Sequence, residues 1–209
     1  RKSSVGKSHA VYHIPNLLDV NIFRQLDKKN CRDVLNLPYG KKLILFGADR
    51  AVSNLYKGFG YFVDAMEILK KEINRKDVEI LIFGSYESEQ IQAQLSYPCH
   101  FFGYLHDIYS LLLLYNAADV FCMPSCAESF GQTALESIFC GTPVVAFNTG
   151  GLPDIVSSKT GYLAKYKNSH DFAKGINLVL SSGKIDSSTV IKMFNGETVV
   201  NKHIKLWTS

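Results

Sequence analysis

The feature that most restricts the fold is a series of short apolar runs without polar alternation, each followed by residues at helical spacing. Lys42 to Phe46 (KLILF) is closed by Gly47, and after a polar loop Phe59, Phe62, Val63, Met66, Leu69 and Ile73 recur with the period of an amphipathic helix. Val78 to Phe83 (VEILIF), closed by Gly84, starts the pattern again, and the spacing predicts a short helix near Gln90 to Leu95. A strand near His100 to Phe102, a helix from Asp107 to Asn116, a strand at Val120 to Met123, a helix from about Gln132 to Phe139 and a strand at Val144 to Phe147 continue it. Strands that are apolar on both faces need cover on both, and alternating helices supply it. The expected fold class is therefore α/β, a doubly wound parallel sheet. A later helix from about Ser169 to Leu180, carrying Phe172, Ile176, Val179 and Leu180, should pack on that sheet.

Composition narrows the function classes. The 209 residues are 46% apolar and 20% charged, as in an ordinary globular chain that can bury about 70% of its unfolded surface. A net charge of +4, with no run of five like charges, argues against a nucleic-acid partner. The longest unbroken apolar stretch, Leu111 to Tyr115, is far shorter than the roughly 18 residues of a membrane helix. Five cysteines (Cys31, Cys99, Cys122, Cys126, Cys140) lie scattered in apolar surroundings, a pattern suited to reduced core thiols and a cytoplasmic setting. The chain opens with Arg1 and reads as a piece of a longer polypeptide.

Along the chain, residues 1–20, with Ser3, Ser4, Gly6, Ser8, Pro15 and Asn16, show no sustained period and read as a linker arm. Residues 21–185 are expected to form a single doubly wound domain, and beyond the polar stretch Ser181 to Ser188 a C-terminal helix is expected over 186–209.

Open parallel sheets bind ligands at the carboxyl ends of their strands, which directs attention to the loops after Phe46, Phe83, Phe102, Met123 and Phe147. The first holds Arg50 and Lys57, and the last holds Gly150 and Gly151. The richest segment is Pro124 to Phe147, PSCAESFGQTALESIFCGTPVVAF, with seven residues between Glu128 and Glu136. A helix starting near Gln132 puts Glu136 about one turn in, where its carboxylate can share a cleft with Glu128. The amides of Phe130, Gly131, Gln132 and Thr133 would sit at the helix N-terminus, a setting for an anion, and Gly131 allows close approach to the backbone. Two carboxylates beside an anion site suit a ligand with both hydroxyls and phosphates, because carboxylates accept from sugar hydroxyls while amides and cations hold phosphate. An arbitrary pair of Glu at this spacing more often caps and solvates a helix start, and the residues alone leave that alternative open.

The segment resembles the signature of the retaining family 4 glycosyltransferases. The likeness is carried by Glu128, Ser129, Phe130, Gly131, Glu136, the run Cys140 to Ala146, Gly150 and Gly151, and it extends from about Ile14, through Asn16 and Asp19, to roughly Leu180. It implies the C-terminal, donor-binding half of an enzyme with two Rossmann-like domains facing a cleft. Glu128 would meet donor-sugar hydroxyls, with Lys57 the second catalytic residue. Ser129 and the amides of Phe130, Gly131, Gln132 and Thr133 would contact sugar and phosphate, and Glu136 would hold the ribose. Gly103, Tyr104 and Leu105 resemble the segment that lines the base. The family places an arginine just after Gly47, but Ala48 fills that slot here and Arg50, two residues on, is its candidate replacement. No Asp-x-Asp triplet is present. The resemblance thus implies transfer without a metal or other cofactor, the nucleoside diphosphate sugar being substrate and Lys57 and amides stabilising the departing diphosphate. An acceptor-binding domain upstream would be the partner, with any contact to the inner face of a membrane made through it. The isolated chain would bind donor without transferring sugar.

The competing expectations are a sugar-nucleotide epimerase or glycan phosphorylase of the same architecture, and a nucleotide-binding module without transferase activity. Three local patterns are discounted. Gly6-Lys7-Ser8 lacks the first glycine of a P-loop, Gly58-x-Gly60 lacks the third glycine of a dinucleotide fingerprint, and Cys122 with Cys126 lacks a second pair for zinc. His100 and His106 flank the Gly103 loop and are expected at its edge.

Overall fold

In the computed structural model the described residues are 12, 14–86, 89–183 and 185–208. The element order is α1 (Lys28–Val34), β1 (Lys42–Gly47), α2 (Phe59–Leu69), β2 (Val78–Phe83), α3 (Glu89–Gln94), β3 (Cys99–Phe101), α4 (Ile108–Ala117), β4 (Val120–Met123), α5 (Gln132–Phe139), β5 (Val144–Phe147), β6 (Gly161–Ala164), α6 (Ser169–Ser182), α7 (Ser188–Phe194) and α8 (Gly196–Trp207). The six strands form one sheet in the order β3-β2-β1-β4-β5-β6, with every neighbouring pair parallel. Strand order reverses between β1 and β4, the switch point at which a crevice opens beyond the carboxyl ends.

Successive residues of each strand serve opposite faces, which explains the unalternated runs. Leu43, Leu45, Leu81, Phe83, Phe121 and Met123 join one cluster with residues of α1, α4, α5 and α7. Ile44, Phe46, Ile80, Ile82, Val120 and Cys122 join the other with α2, α3 and α6. The expected α/β class, a doubly wound parallel sheet, is what the chain forms.

Three elements were not anticipated. Helix α1 is polar apart from Cys31 and the exposed Val34 and is held from outside: the Arg32 guanidinium bonds Asp119 Oδ2 at 2.8 Å and the Ala117 carbonyl at 2.9 Å, and Lys28 reaches Asp119 Oδ1 at 2.9 Å. Strand β6 is an edge, with Gly161, Tyr162 and Leu163 only half-buried, so it lacks a continuous apolar signal. The segment expected as one C-terminal helix is two, α7 and α8. The chain turns at Asn195 (ψ 156°), whose side chain accepts the Thr198 N–H at 2.8 Å and restarts the helix. Residues 1–11 and 13, which hold most of the predicted arm and the Gly6-Lys7-Ser8 pattern, lie outside the described residues. The end of the arm is built into the domain: Leu18 is buried, and its N–H donates to the Phe194 carbonyl at 3.1 Å.

Candidate functional site

Three loops meet at the carboxyl ends of β1, β4 and β5. After β1 the chain makes a helical turn at Leu55–Lys57, started by the Asn54 side chain accepting the Tyr56 N–H at 3.0 Å, and leaves it through Gly58 at φ 74°. A side chain at Gly58 would run into the Pro124 carbonyl, so glycine lets the β1 and β4 loops touch backbone to backbone. The Cys126 N–H bonds the Tyr56 carbonyl at 2.8 Å and continues that contact. It brings Lys57 Nζ to 3.7 Å from Glu128 Oε2, with the lysine side chain 26% and the glutamate side chain 15% exposed.

Behind Glu128 lies the Gly150-Gly151 loop. Gly150, at φ 55°, faces the Glu128 carbonyl so closely that a Cβ would overlap it, and Gly151 approaches the Ser129 and Phe130 carbonyls. These glycines support the Glu128–Gly131 backbone from beneath. Gly131, at φ 99°, is the N-cap of α5 and supplies no side-chain hydrogen bond, so the leading amides of the helix have no side-chain cap. Gln132 and Thr133 are half-buried at that start, and the Thr133 hydroxyl lies 3.7 Å from the Met123 sulfur. Ser129 is exposed and Phe130 half-buried.

Glu136, one turn into α5, is only 8% exposed. Its Oε2 accepts the Tyr115 hydroxyl at 3.1 Å, and no ion pair joins it to a cation among the described residues. Burial pushes its carboxyl up to about 7, with the bonds from Tyr115 and Gln132 pulling the other way. Burial and the Glu136 charge in turn push the Tyr115 hydroxyl well above its ordinary range.

The remaining predicted residues are more scattered. Gly47 ends β1 against the Phe83 ring, which would collide with any Cβ there. Arg50 is exposed in a left-handed conformation, φ 52°, and forms no ion pair with a described carboxylate. Tyr104 and Leu105 follow β3, and Leu105 packs on the core. The Tyr104 ring meets the edge of Tyr86, centroids 5.1 Å apart. His100 pairs with Glu79 at 2.6 Å, while His106 is exposed. The five cysteines are free, and no group of three His, Cys, Asp or Glu among the described residues could hold a metal ion.

Sequence reasoning missed Tyr115 and Tyr86. Tyr115 ends an apolar run on α4 and carries no local sign that its hydroxyl crosses to α5. Tyr86 follows Gly84 at a strand's carboxyl end, a position that could have raised it as a candidate.

Comparison with known proteins adds to this geometry. A family model described as "Glycosyl transferases group 1" matches residues 41–182. An uncharacterized glycosyltransferase of Methanocaldococcus jannaschii is 32% identical over 170 residues, 78% of this chain and 42% of that protein. A D-inositol 3-phosphate glycosyltransferase of Paenarthrobacter aurescens is 33% identical over 172 residues, 78% of this chain and 41% of its own length. The chain therefore spans less than half the length of these relatives. Among solved structures, sucrose-phosphate synthase from Thermosynechococcus elongatus superposes with a TM-score of 0.77 at 25% identity, over 93% of this chain and 51% of that one. HepE of Anabaena, solved in complex with UDP and glucose, gives 0.73 at 20% identity over 93% and 56%, a likeness of fold.

Proposed function

The chain belongs to the group 1 glycosyltransferases, and from that premise we propose that it is the donor-binding half of a retaining enzyme that moves a sugar from a nucleoside diphosphate sugar to an acceptor hydroxyl. The observation that carries this reading is the Lys57–Glu128 pair, 3.7 Å apart, beside the uncapped start of α5. In the reaction the bond from the anomeric carbon to the diphosphate breaks with its electron pair on the diphosphate oxygen. A bond to the acceptor oxygen forms on the same face as the acceptor O–H bond breaks, its proton passing to the departing diphosphate oxygen. Lys57 and the amides of Phe130, Gly131, Gln132 and Thr133 balance the charge of the departing diphosphate, so no metal is needed. Glu128 and Ser129 orient the sugar through its hydroxyls, Glu136 takes the ribose, and Tyr104 and Leu105 line the base. Arg50 stands near enough in sequence to reach the diphosphate from the loop after Gly47.

Two features support the assignment to half an enzyme: the share of the relatives' length that the chain spans, and α8, which carries Val200, Ile204 and Trp207 exposed along one side. That stripe suits a helix crossing back to an acceptor-binding domain. Holding the acceptor near the anomeric carbon supplies about 7–11 kcal/mol of the barrier reduction, so the chain alone binds donor and transfers nothing. Free thiols and a nucleotide-sugar donor fit a cytoplasmic role in glycan biosynthesis. No helix among the described residues is long and apolar enough to cross a membrane, and any peripheral contact falls to the other domain.

Calorimetric titration with UDP, GDP, ADP and their sugar conjugates, with and without chelator, tests the reading. Binding is expected to survive chelator. Glu136→Ala should weaken the bare nucleoside diphosphate by about 1.5–3 kcal/mol, the worth of a charged hydrogen bond, and Glu128→Ala should weaken only the sugar conjugate. Preference for a flavin over every nucleoside diphosphate, or equal losses for both ligands in both variants, would overturn it.

A further inference from the structure

The loop carrying Glu128 and the two ends of the domain meet at one side chain. Phe130 lays its ring against Phe194, with centroids 5.7 Å apart and planes at 62°. Phe194 closes α7, is 2% exposed and shares an apolar cluster with Leu18, Leu152 and Ile155. Leu152 and Ile155 also pack beneath Gly131. The Phe194 carbonyl receives the Leu18 N–H at 3.1 Å, where the arm enters the domain, and the next residue, Asn195, pairs with Leu18 and caps α8. Phe194 therefore touches the loop that carries Glu128, the chain coming in and the helix going out.

Resting on the donor-binding reading above, we propose that Phe194 is a positioning residue: its ring fixes Phe130, and with it the backbone at the start of α5, and couples the state of that loop to the connector at Leu18 and the turn between α7 and α8. A ring in a close-packed cluster has few alternative placements, so a displacement of Phe130 is passed on to Phe194 and Leu18. Coupling of this kind is reciprocal. A donor that orders the loop tightens the Leu18–Phe194 bond, and a looser Phe194 weakens donor binding. In the longer protein, where the chain continues beyond Leu18 and α8 crosses back, the contact lets one half sense whether the other is loaded.

The test is to titrate UDP and UDP-glucose into the chain and its Phe194→Leu variant, following hydrogen exchange at the Leu18 and Thr198 amides. Saturating UDP-glucose is expected to slow exchange at Leu18 several-fold in the unsubstituted chain. Phe194→Leu should abolish that slowing and weaken UDP-glucose about tenfold, within the usual range of coupling energies. Phe130→Leu combined with Phe194→Leu should bind no worse than the weaker single variant, the non-additivity of a pair acting together. A Phe194 that merely fills the core would lower the melting temperature yet leave affinity and the slowing intact, which overturns the proposal. Should the leucine variant fail to fold, the unsubstituted chain decides alone: unchanged exchange at Leu18 under saturating ligand overturns the coupling, and several-fold slowing upholds it. Failure to bind UDP, GDP or ADP at all overturns the donor reading and this inference with it, whereas binding without any change at Leu18 overturns only the latter.

Discussion

The two ends of the sheet treat their acids, a half-buried Asp119 and a buried Glu136, in opposite ways. At the amino end, Asp119 stands at the start of β4 with both oxygens engaged, Oδ1 by Lys28 at 2.9 Å and Oδ2 by Arg32 and the Leu43 N–H at 2.8 Å each. Burial raises its pKa, but those partners more than offset it and hold the carboxyl below its ordinary value. At the carboxyl end, Glu136 is buried with a tyrosine and a glutamine for company and rises to about 7, while Lys57 and Glu128 stand at 3.7 Å, too far for a direct hydrogen bond. One end spends its charges on closing the fold, and the other keeps them incompletely satisfied, as expected where a ligand completes the set.

The strongest way to break this contrast is Arg32→Ala. It leaves Asp119 short of its buried partner and frees the Ala117 carbonyl, which should cost about 3–5 kcal/mol in urea unfolding at pH 7. The sign with pH follows from the depressed carboxyl: its contribution is present above the unfolded pKa of 3.8 and fades as pH falls through the lower folded value, so the penalty should shrink in acid. A loss under about 1 kcal/mol at pH 7 would make the amino end no different from a surface ion pair.

Glu136→Gln probes the opposite sign. Between pH 4.5 and about 7 the folded carboxyl holds a proton that the unfolded one has lost, so the native protein's stability relative to the Gln variant is full below 4.5 and declines as pH rises through 7. The decline should approach about 3 kcal/mol by pH 8, and a stability difference flat between pH 4 and 8 would remove the distinction between the two acids.

The smallest expected effect on stability is Lys57→Met, which breaks a partly exposed pair and should change unfolding by less than about 1 kcal/mol. Its affinity for UDP should nevertheless fall at least about tenfold, the loss of a charged hydrogen bond. A variant that is much less stable and binds UDP normally would place Lys57 with the structural charges.

How far these features could be read beforehand follows from burial. Strands β1, β2, β4 and β5 are covered on both faces and announce themselves as apolar runs. Edge strand β6 and helix α1 do not, because one is half-exposed and the other is anchored by the charges of Arg32 and Lys28. The break between α7 and α8 was signalled by Asn195-Gly196, a stop that competes with the apolar spacing continuing across it. At the candidate site, Glu128, Gly131 and Glu136 lie close in the chain, so their arrangement around α5 follows from helical geometry. Tyr115 is 21 residues from Glu136 and Phe194 is 64 from Phe130, contacts that only the folded sheet creates.

The glycine contacts behind Glu128 have a consequence for how such a protein can diversify. Because Gly150 and Gly151 press directly on the main chain of 128–130, the course of that loop is set by backbone against backbone and owes little to the side chains it displays. Ser129 is exposed and Gln132 half-buried at its outer side. On the donor-binding reading proposed above, exchanges at these two positions would alter which sugar is welcomed while the amides stay where they are, so preference for one hexose over another would drift by single substitutions without rebuilding the grip on phosphate.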